Sequence, residues 1–217
     1  VVPTASTRRV QRARAFTQAG FMLFFVMAPA LDLFRFDMPS HHFIVLTLPW
    51  TLGIDAFMAG SISGSEMATN FLLRGVLPIL AAIGLFIGVS WKYGRVYCGW
   101  LCPHFSVVEV INQNLRRAIG KQSVWDRHTQ PPQNPDGTTT PRNAWWWLVV
   151  VPLAVGFAFV WTISILTYIW PPTQVWGDLV QQQLPRFQVI FLGVGTALFS
   201  LEFLFARHLF CRFACAA

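Results

Sequence analysis

From Trp145 to Trp170 the chain runs without one charged side chain. Coiled as an α-helix, that run is roughly 39 Å long at 1.5 Å per residue. It exceeds the ~30 Å hydrocarbon layer of a bilayer. In lipid every backbone N–H and C=O must be paired inside the segment, and a helix achieves this alone. A chain built around such a run is an integral membrane protein. Composition points the same way. Of 217 residues, 54% are hydrophobic and 12% charged, against about 25% charged in a soluble domain. With 20 Phe and 10 Trp, there is too much apolar area for a disordered chain. Length and only 4 Cys exclude a disulfide-held mini-protein.

Other runs of similar character follow. Phe71 to Trp91 carries one charge, Arg74, and Phe187 to Ala206 carries one, Glu202. Phe16 to Phe34 contains Pro29 and ends near Asp32; membrane helices tolerate such a proline. The predicted spans are therefore 16–34, 71–91, 145–170 and 187–206. The expected fold is all-α: an integral membrane bundle of about four transmembrane helices, with a cytoplasmic amphipathic helix and short external loops. Residues 1–15 form a basic cytoplasmic N-terminal segment and residues 16–217 the transmembrane domain, with a cytoplasmic loop over 92–143. The run after the N-terminal arginines lacks a small-residue cleavage site and is long enough to span, so it reads as a retained first helix.

Shorter segments fill in the connections. Phe43 to Ala59 is apolar but interrupted by Pro49, Gly53 and Asp55, and reads as an interfacial or re-entrant piece. The Gly/Ser run from Ala59 to Ser65 is a loop, and Pro171 to Arg186 is a short external loop. Inside the 92–143 connection, Val107, Val108, Ile111, Leu115 and Ile119 recur at helical spacing, predicting an amphipathic helix over Cys102–Ile119. Gln130 to Pro141 is polar and turn-rich.

Basic residues orient the spans. Arg8, Arg9, Arg12, Arg14, Lys92, Arg95, Arg116, Arg117, Lys121, Arg127, Arg142, Arg207 and Arg212 fall on one flank. Only Arg35, Arg74 and Arg186 fall on the other. The positive-inside bias puts the first group, and with it the N-terminus, in the cytoplasm. The +7 net charge then reflects topology and contact with anionic lipid headgroups. Basic residues spread over separate flanks give no nucleic-acid footprint. Tryptophans at span ends, such as Trp91, Trp145 and Trp170, form an interfacial belt. The predicted location is a bacterial inner membrane, crossed several times.

The four cysteines fall in two C-x-x-x-C pairs, Cys98/Cys102 and Cys211/Cys215. Each follows the cytoplasmic end of a predicted span. Two crossings separate the pairs, so they share a face. Residues at i and i+4 also share one side of a helix, so four thiolates can converge. Thiolates bind metal, and Arg95, Arg207 and Arg212 beside them would help offset their charge. A 4Fe–4S cluster is chemically suitable. Structural zinc accepts similar pairs, and soft thiolates also take Cu(I). A reversible dithiol, or four unliganded thiols, remain open on spacing alone.

At these motifs the sequence resembles a known group. Gly94-Arg95-Val96-Tyr97-Cys98-Gly99-Trp100-Leu101-Cys102-Pro103 and His208-Leu209-Phe210-Cys211-Arg212-Phe213-Ala214-Cys215 look like the membrane part of the polyferredoxin-like 4Fe–4S binding proteins. That group includes cytochrome oxidase accessory proteins, the membrane quinol dehydrogenase of periplasmic nitrate reduction and the nitrous-oxide regulator. Phe36 to Phe43 and Gly156 to Trp161 are most similar to the oxidase accessory branch. Two positions depart from the group's pattern: Ala216 stands where proline commonly follows the second pair, and His104 where glutamine is usual in that branch. The resemblance implies electron transfer between a quinone or membrane partners and soluble redox modules, with Cys98, Cys102, Cys211 and Cys215 as ligands. It equally implies copper binding or copper reduction during assembly of a terminal oxidase. A third reading is a structural subunit of a larger membrane complex. The resemblance also implies other redox subunits as partners, and a ferredoxin-like region downstream of Ala217.

Beside the cysteines, His104 and His208 are candidates to hydrogen-bond a cluster sulfur and tune its potential. Glu202, an acid inside a span, is a candidate proton carrier for quinol oxidation, or the partner of Arg207 or another helix-end arginine. Asp32, Asp37, Asp55 and Glu66 read as solvated loop charge. No Ser/His/Asp arrangement or phosphate-binding glycine loop argues for hydrolysis.

Overall fold

The computed structural model describes residues 5–100, 102–121, 123–129, 139 and 141–206, with side chains at all of these except 5–8, 90, 94–99, 103 and 206. Most of the described residues are helical, so the helical expectation holds, with one small sheet as the exception. The elements are α1 (Ala5–Met27), β1 (Phe34–Asp37), β2 (His42–Val45), β3 (Leu48–Thr51), α2 (Ile54–Met58), α3 (Gly64–Phe71), α4 (Leu77–Trp100), α5 (Pro103–Ile119), α6 (Trp147–Thr167), α7 (Pro172–Val180) and α8 (Arg186–Leu201). Single π-helical turns, Leu72–Val76 and Glu202–Ala206, precede α4 and follow α8.

Three continuous helical stretches are long and apolar enough to cross a membrane: Gly64–Tyr93, Ala144–Thr167 and Arg186–Phe205. They match three of the four predicted spans. The fourth, 16–34, does not form a helix of that kind. α1 stops at Met27, because Pro29 disfavours helical backbone at the residue before it, and the chain turns over Ala28–Leu33. The apolar part of α1, from Phe16 on, is then only about 12 residues, roughly 18 Å. At the second span, helix continues through Lys92 to Trp100, bending at Tyr93 (φ −128°, ψ 21°). The expected cytoplasmic connection therefore begins as helix.

The chain forms two compact units. One comprises Val1–Leu23, Gly94–Thr162 and Ile190–Ala217; the other comprises Phe24–Tyr93 and Ile163–Val189. In the first unit the core is built on α5. Val107, Val108, Ile111, Leu115 and Ala118 are buried together with Val150, Ala154 and Ala158 of α6 and Phe203. The predicted apolar stripe is thus the buried one, with Ile119 packed at its margin. The α6 contribution repeats every four residues, so it lies along one side of that helix. Small side chains there allow close approach. Gly195 of α8 shows the same need: a Cβ at that position would stand 2.6 Å from Thr162 Cγ2. α5 ends on Gly120, whose φ of 73° suits glycine and whose N–H bonds the Arg116 carbonyl.

In the second unit, β1, β2 and β3 pair antiparallel in that order, with Asp37 opposite His42 and Val45 opposite Leu48. The expectation of an all-α fold is corrected here: within Phe43–Ala59 the chain forms strands and the short helix α2. Pro49 lies on the edge strand β3, where its missing N–H costs no ladder bond. On the other side, Phe36 N–H bonds the Tyr168 carbonyl at 2.8 Å and Met38 N–H bonds that of Ile169 at 3.1 Å. Ser63 and Glu66 form a capping box at the start of α3, so the predicted loop ends in an organised helix start. The expected loop over Pro171–Arg186 contains α7, with Pro171 and Pro172 at its start. Asp37 is not solvated loop charge. It is 8% exposed, with Oδ2 3.6 Å from the buried Arg35 guanidinium, which also pairs with Asp32.

Candidate functional site

The site is approached from α4 and α5. Cys98 lies in the last turn of α4. Cys102 occupies the N-cap of α5, in extended backbone (φ −67°, ψ 111°), with Pro103 at the first helical position. Proline there loses nothing, since the first N–H groups of a helix lack intrahelical partners. Helix α5 is fixed at once: Ser106 Oγ donates to the Cys102 carbonyl at 3.1 Å. Cys102 is half-buried. A thiol at the start of a helix meets the positive end of the helix dipole, which favours the thiolate.

Helix α1 reaches the same corner of the first unit. Thr17 Oγ1 donates to the Trp100 carbonyl, between the two cysteines, at 3.1 Å. Arg14 lies 3.8 Å from Glu109 on α5 and 5.7 Å from the centre of the Phe105 ring. Neither Thr17 nor Arg14 stands out in the sequence as a site residue. The basic N-terminal segment carries no local sign of what it packs against.

His104, in the first turn of α5, is 5% exposed. Its ring lies edge-on to Trp161 at 6.0 Å and tilted against Phe203 at 5.5 Å. Its Nε2 stands 3.2 Å from Oε1 of Glu202. The two groups are close neighbours, but neither atom meets hydrogen-bond geometry. The structure therefore brings together two residues that the sequence singles out separately, and Glu202 has a histidine beside it in addition to any arginine. Arg207 lies outside the described residues.

Of the other candidates, Cys98 and Arg95 lie on α4, but their side chains are outside the description. Cys211, Cys215, His208 and Arg212 lie outside the described residues altogether. Among the described residues no three His, Cys, Asp or Glu side chains converge as a metal site. His41 sits 3.8 Å from Asp55, and His42 Nδ1 contacts the Ser40 carbonyl at 2.8 Å.

The donor set fits a 4Fe–4S cluster. Cysteine sulfur is the donor such a cluster takes, and Cys102 stands half-buried at the N-cap of α5. Comparison with known proteins bears on the choice of metal. Residues 75–122 match the family model of a 4Fe–4S binding domain. The matched stretch holds α4, α5, Cys98 and Cys102. No curated protein and no solved structure matches the chain. The match supports an iron–sulfur binding family and lends nothing to copper.

Proposed function

We propose that this chain is a membrane electron-transfer protein whose Cys98, Cys102, Cys211 and Cys215 hold a 4Fe–4S cluster on the cytoplasmic side of the inner membrane. The observation that carries the reading is the 4Fe–4S domain match over residues 75–122, a stretch that contains Cys98 and Cys102. When bound, the cluster supplies one-electron transfer. The chain's own residues supply the rest. The α5 N-terminus offers Cys102 a positive dipole, and the buried face of α5 fixes that helix in its unit. Arg95 and Arg212 offset the thiolate charge. A quinone or other membrane-bound redox partner on one side, and a soluble redox module on the other, are the partners this placement suits. Three apolar helices and the surplus of arginine and lysine on one flank support the membrane location and the orientation.

The test is anaerobic purification of the full-length protein in detergent, with iron and acid-labile sulfide determined per polypeptide. About four of each are expected, with a reduced-state EPR signal. Replacing Cys98 or Cys102 by Ser should remove both iron and signal. An intact preparation without iron and sulfide, even after anaerobic reconstitution, sinks the reading.

A further inference from the structure

The end of α5 and the entry to α6 form a basic, aromatic corner inside one unit. Arg116 and Arg117 lie in the last turn of α5, and Lys121 follows its Gly120 cap. Asn143 N–H donates to the Arg117 carbonyl at 3.0 Å, which ties the segment before α6 to that turn. Arg142, next to Asn143, lies across Gly120: a Cβ there would overlap its Nε and stand 2.8 Å from its Cζ. The guanidinium thus rests on bare backbone, in space that another residue's side chain would enter. Arg117 lies over the Trp146 ring, its Cζ 4.8 Å from the ring centre. Trp146 is in turn packed against the buried core, so the ring is a fixed platform. Trp145, beside it, is 74% exposed.

Charge and depth identify what this corner meets. A guanidinium stacked on an aromatic face keeps its N–H edge free, and two parallel N–H groups match two oxygens of a phosphate. Among the described residues no carboxylate stands within ion-pair distance of Arg117 or Lys121. The next acid along the chain, Asp126, accepts from the Ser123 N–H at 3.1 Å. The helical stretch Ala144–Thr167, of 24 residues, is apolar enough to cross a membrane. At 1.5 Å per residue it is roughly 36 Å long, more than the ~30 Å hydrocarbon layer. Its first turn therefore lies at the depth of the headgroups, where lipid phosphates sit. The dipole of α5 alone would account for Arg116 and Arg117 in its last turn. It does not account for Arg142, which is brought to the same helix end by another segment.

We propose that this corner binds the phosphodiester headgroup of an anionic phospholipid. Arg117 and Arg142 hold the phosphate oxygens, Lys121 adds charge at the rim, and Trp145 lies along the upper part of an acyl chain. A zwitterionic lipid brings the same phosphate with a cationic amine that these residues repel, so the anionic lipid is selected. The site stands about 25 Å along α5 from Cys102 and requires no cluster.

The test uses full-length protein in a neutral detergent, with lipid binding followed by native mass spectrometry. Phosphatidylglycerol is titrated, and phosphatidylcholine is the comparison. The first phosphatidylglycerol should bind at least about fivefold tighter than phosphatidylcholine. Arg117→Gln and Arg142→Gln should each weaken that first binding about fivefold. The double variant Arg9→Gln/Arg12→Gln removes charge from exposed positions of α1 on the same flank, and should weaken it less than about twofold. Should the Arg117 or Arg142 variant lose its helical circular dichroism, Lys121→Gln is expected to weaken binding at least about twofold. Equal affinity for the two lipids overturns the proposal. So does equal weakening by the α1 pair, which would mean diffuse attraction to a basic flank, and so does unchanged binding in a folded site variant. Inorganic phosphate at about ten times the lipid concentration should leave the lipid bound, because the acyl chain adds apolar contact that the free ion lacks; displacement would identify a free-phosphate site and overturn the lipid. Iron and sulfide are measured on the same preparation. Lipid selectivity without iron leaves this site standing and removes the cluster reading. Iron and sulfide without lipid selectivity remove this site alone.

Discussion

Tyr168 joins the end of α6 to the end of α1 through one hydroxyl, which donates to the Phe25 carbonyl at 2.9 Å. Its ring also meets that of Phe25 at 5.3 Å. Tyr168→Phe keeps the ring contact and leaves the carbonyl without its donor. A loss of about 1 kcal/mol is expected, read as a lower thermal midpoint in detergent. Arg35 carries more. Its side chain is buried between Asp32 and Asp37, and Asp37 is itself buried. Arg35→Leu strands a buried carboxylate and should cost roughly 3–5 kcal/mol. Asp55→Asn touches only the exposed His41 contact and should change stability by less than about 1 kcal/mol. Equal loss in the two variants would contradict the buried cluster. Arg35 stands two positions before Asp37, and in the strand Phe34–Asp37 the two side chains share a face; Asp55 has no basic residue so near in sequence.

Helix α5 is the element the sequence describes best. Its apolar positions repeat at helical spacing over about three turns, so the buried side was legible before any packing was known. Ile111→Ala, at a fully buried position, should cost about 2–5 kcal/mol. Val110→Ala, next to it but 41% exposed, should stay within about 0.5 kcal/mol. Chemical or thermal unfolding of the two variants checks the assignment of faces. The three-stranded sheet was not legible. Its strands have four residues each, too few for alternation to be told from a broken apolar run. Its connection over Leu46 and Thr47 uses positive φ without the usual Asn-Gly signal. Helix α6 lies between these cases. Its apolar length is plain, but the side it turns to α8 is set by small residues. Gly195→Val would press on Thr162 and should destabilise the first unit by about 1–3 kcal/mol.

At the scale of the whole molecule, sidedness is the open physical variable. The arginine and lysine surplus predicts that Lys121→Cys reacts with a membrane-impermeant maleimide only after spheroplasts are permeabilised. Ser61→Cys should react in intact spheroplasts. The reverse pattern would overturn the orientation and move the cysteine pairs to the other face.

Run length and charge determine by themselves which segments are long and apolar enough to cross a membrane, because the hydrocarbon layer tests each segment locally for length and polarity. Residue type and local spacing likewise fix α5. Only the tertiary structure decided that 34–51 pairs as strands and that Glu202 meets His104. Those outcomes depend on which distant segments pack together, and a contact between positions 104 and 202 has no local period to betray it.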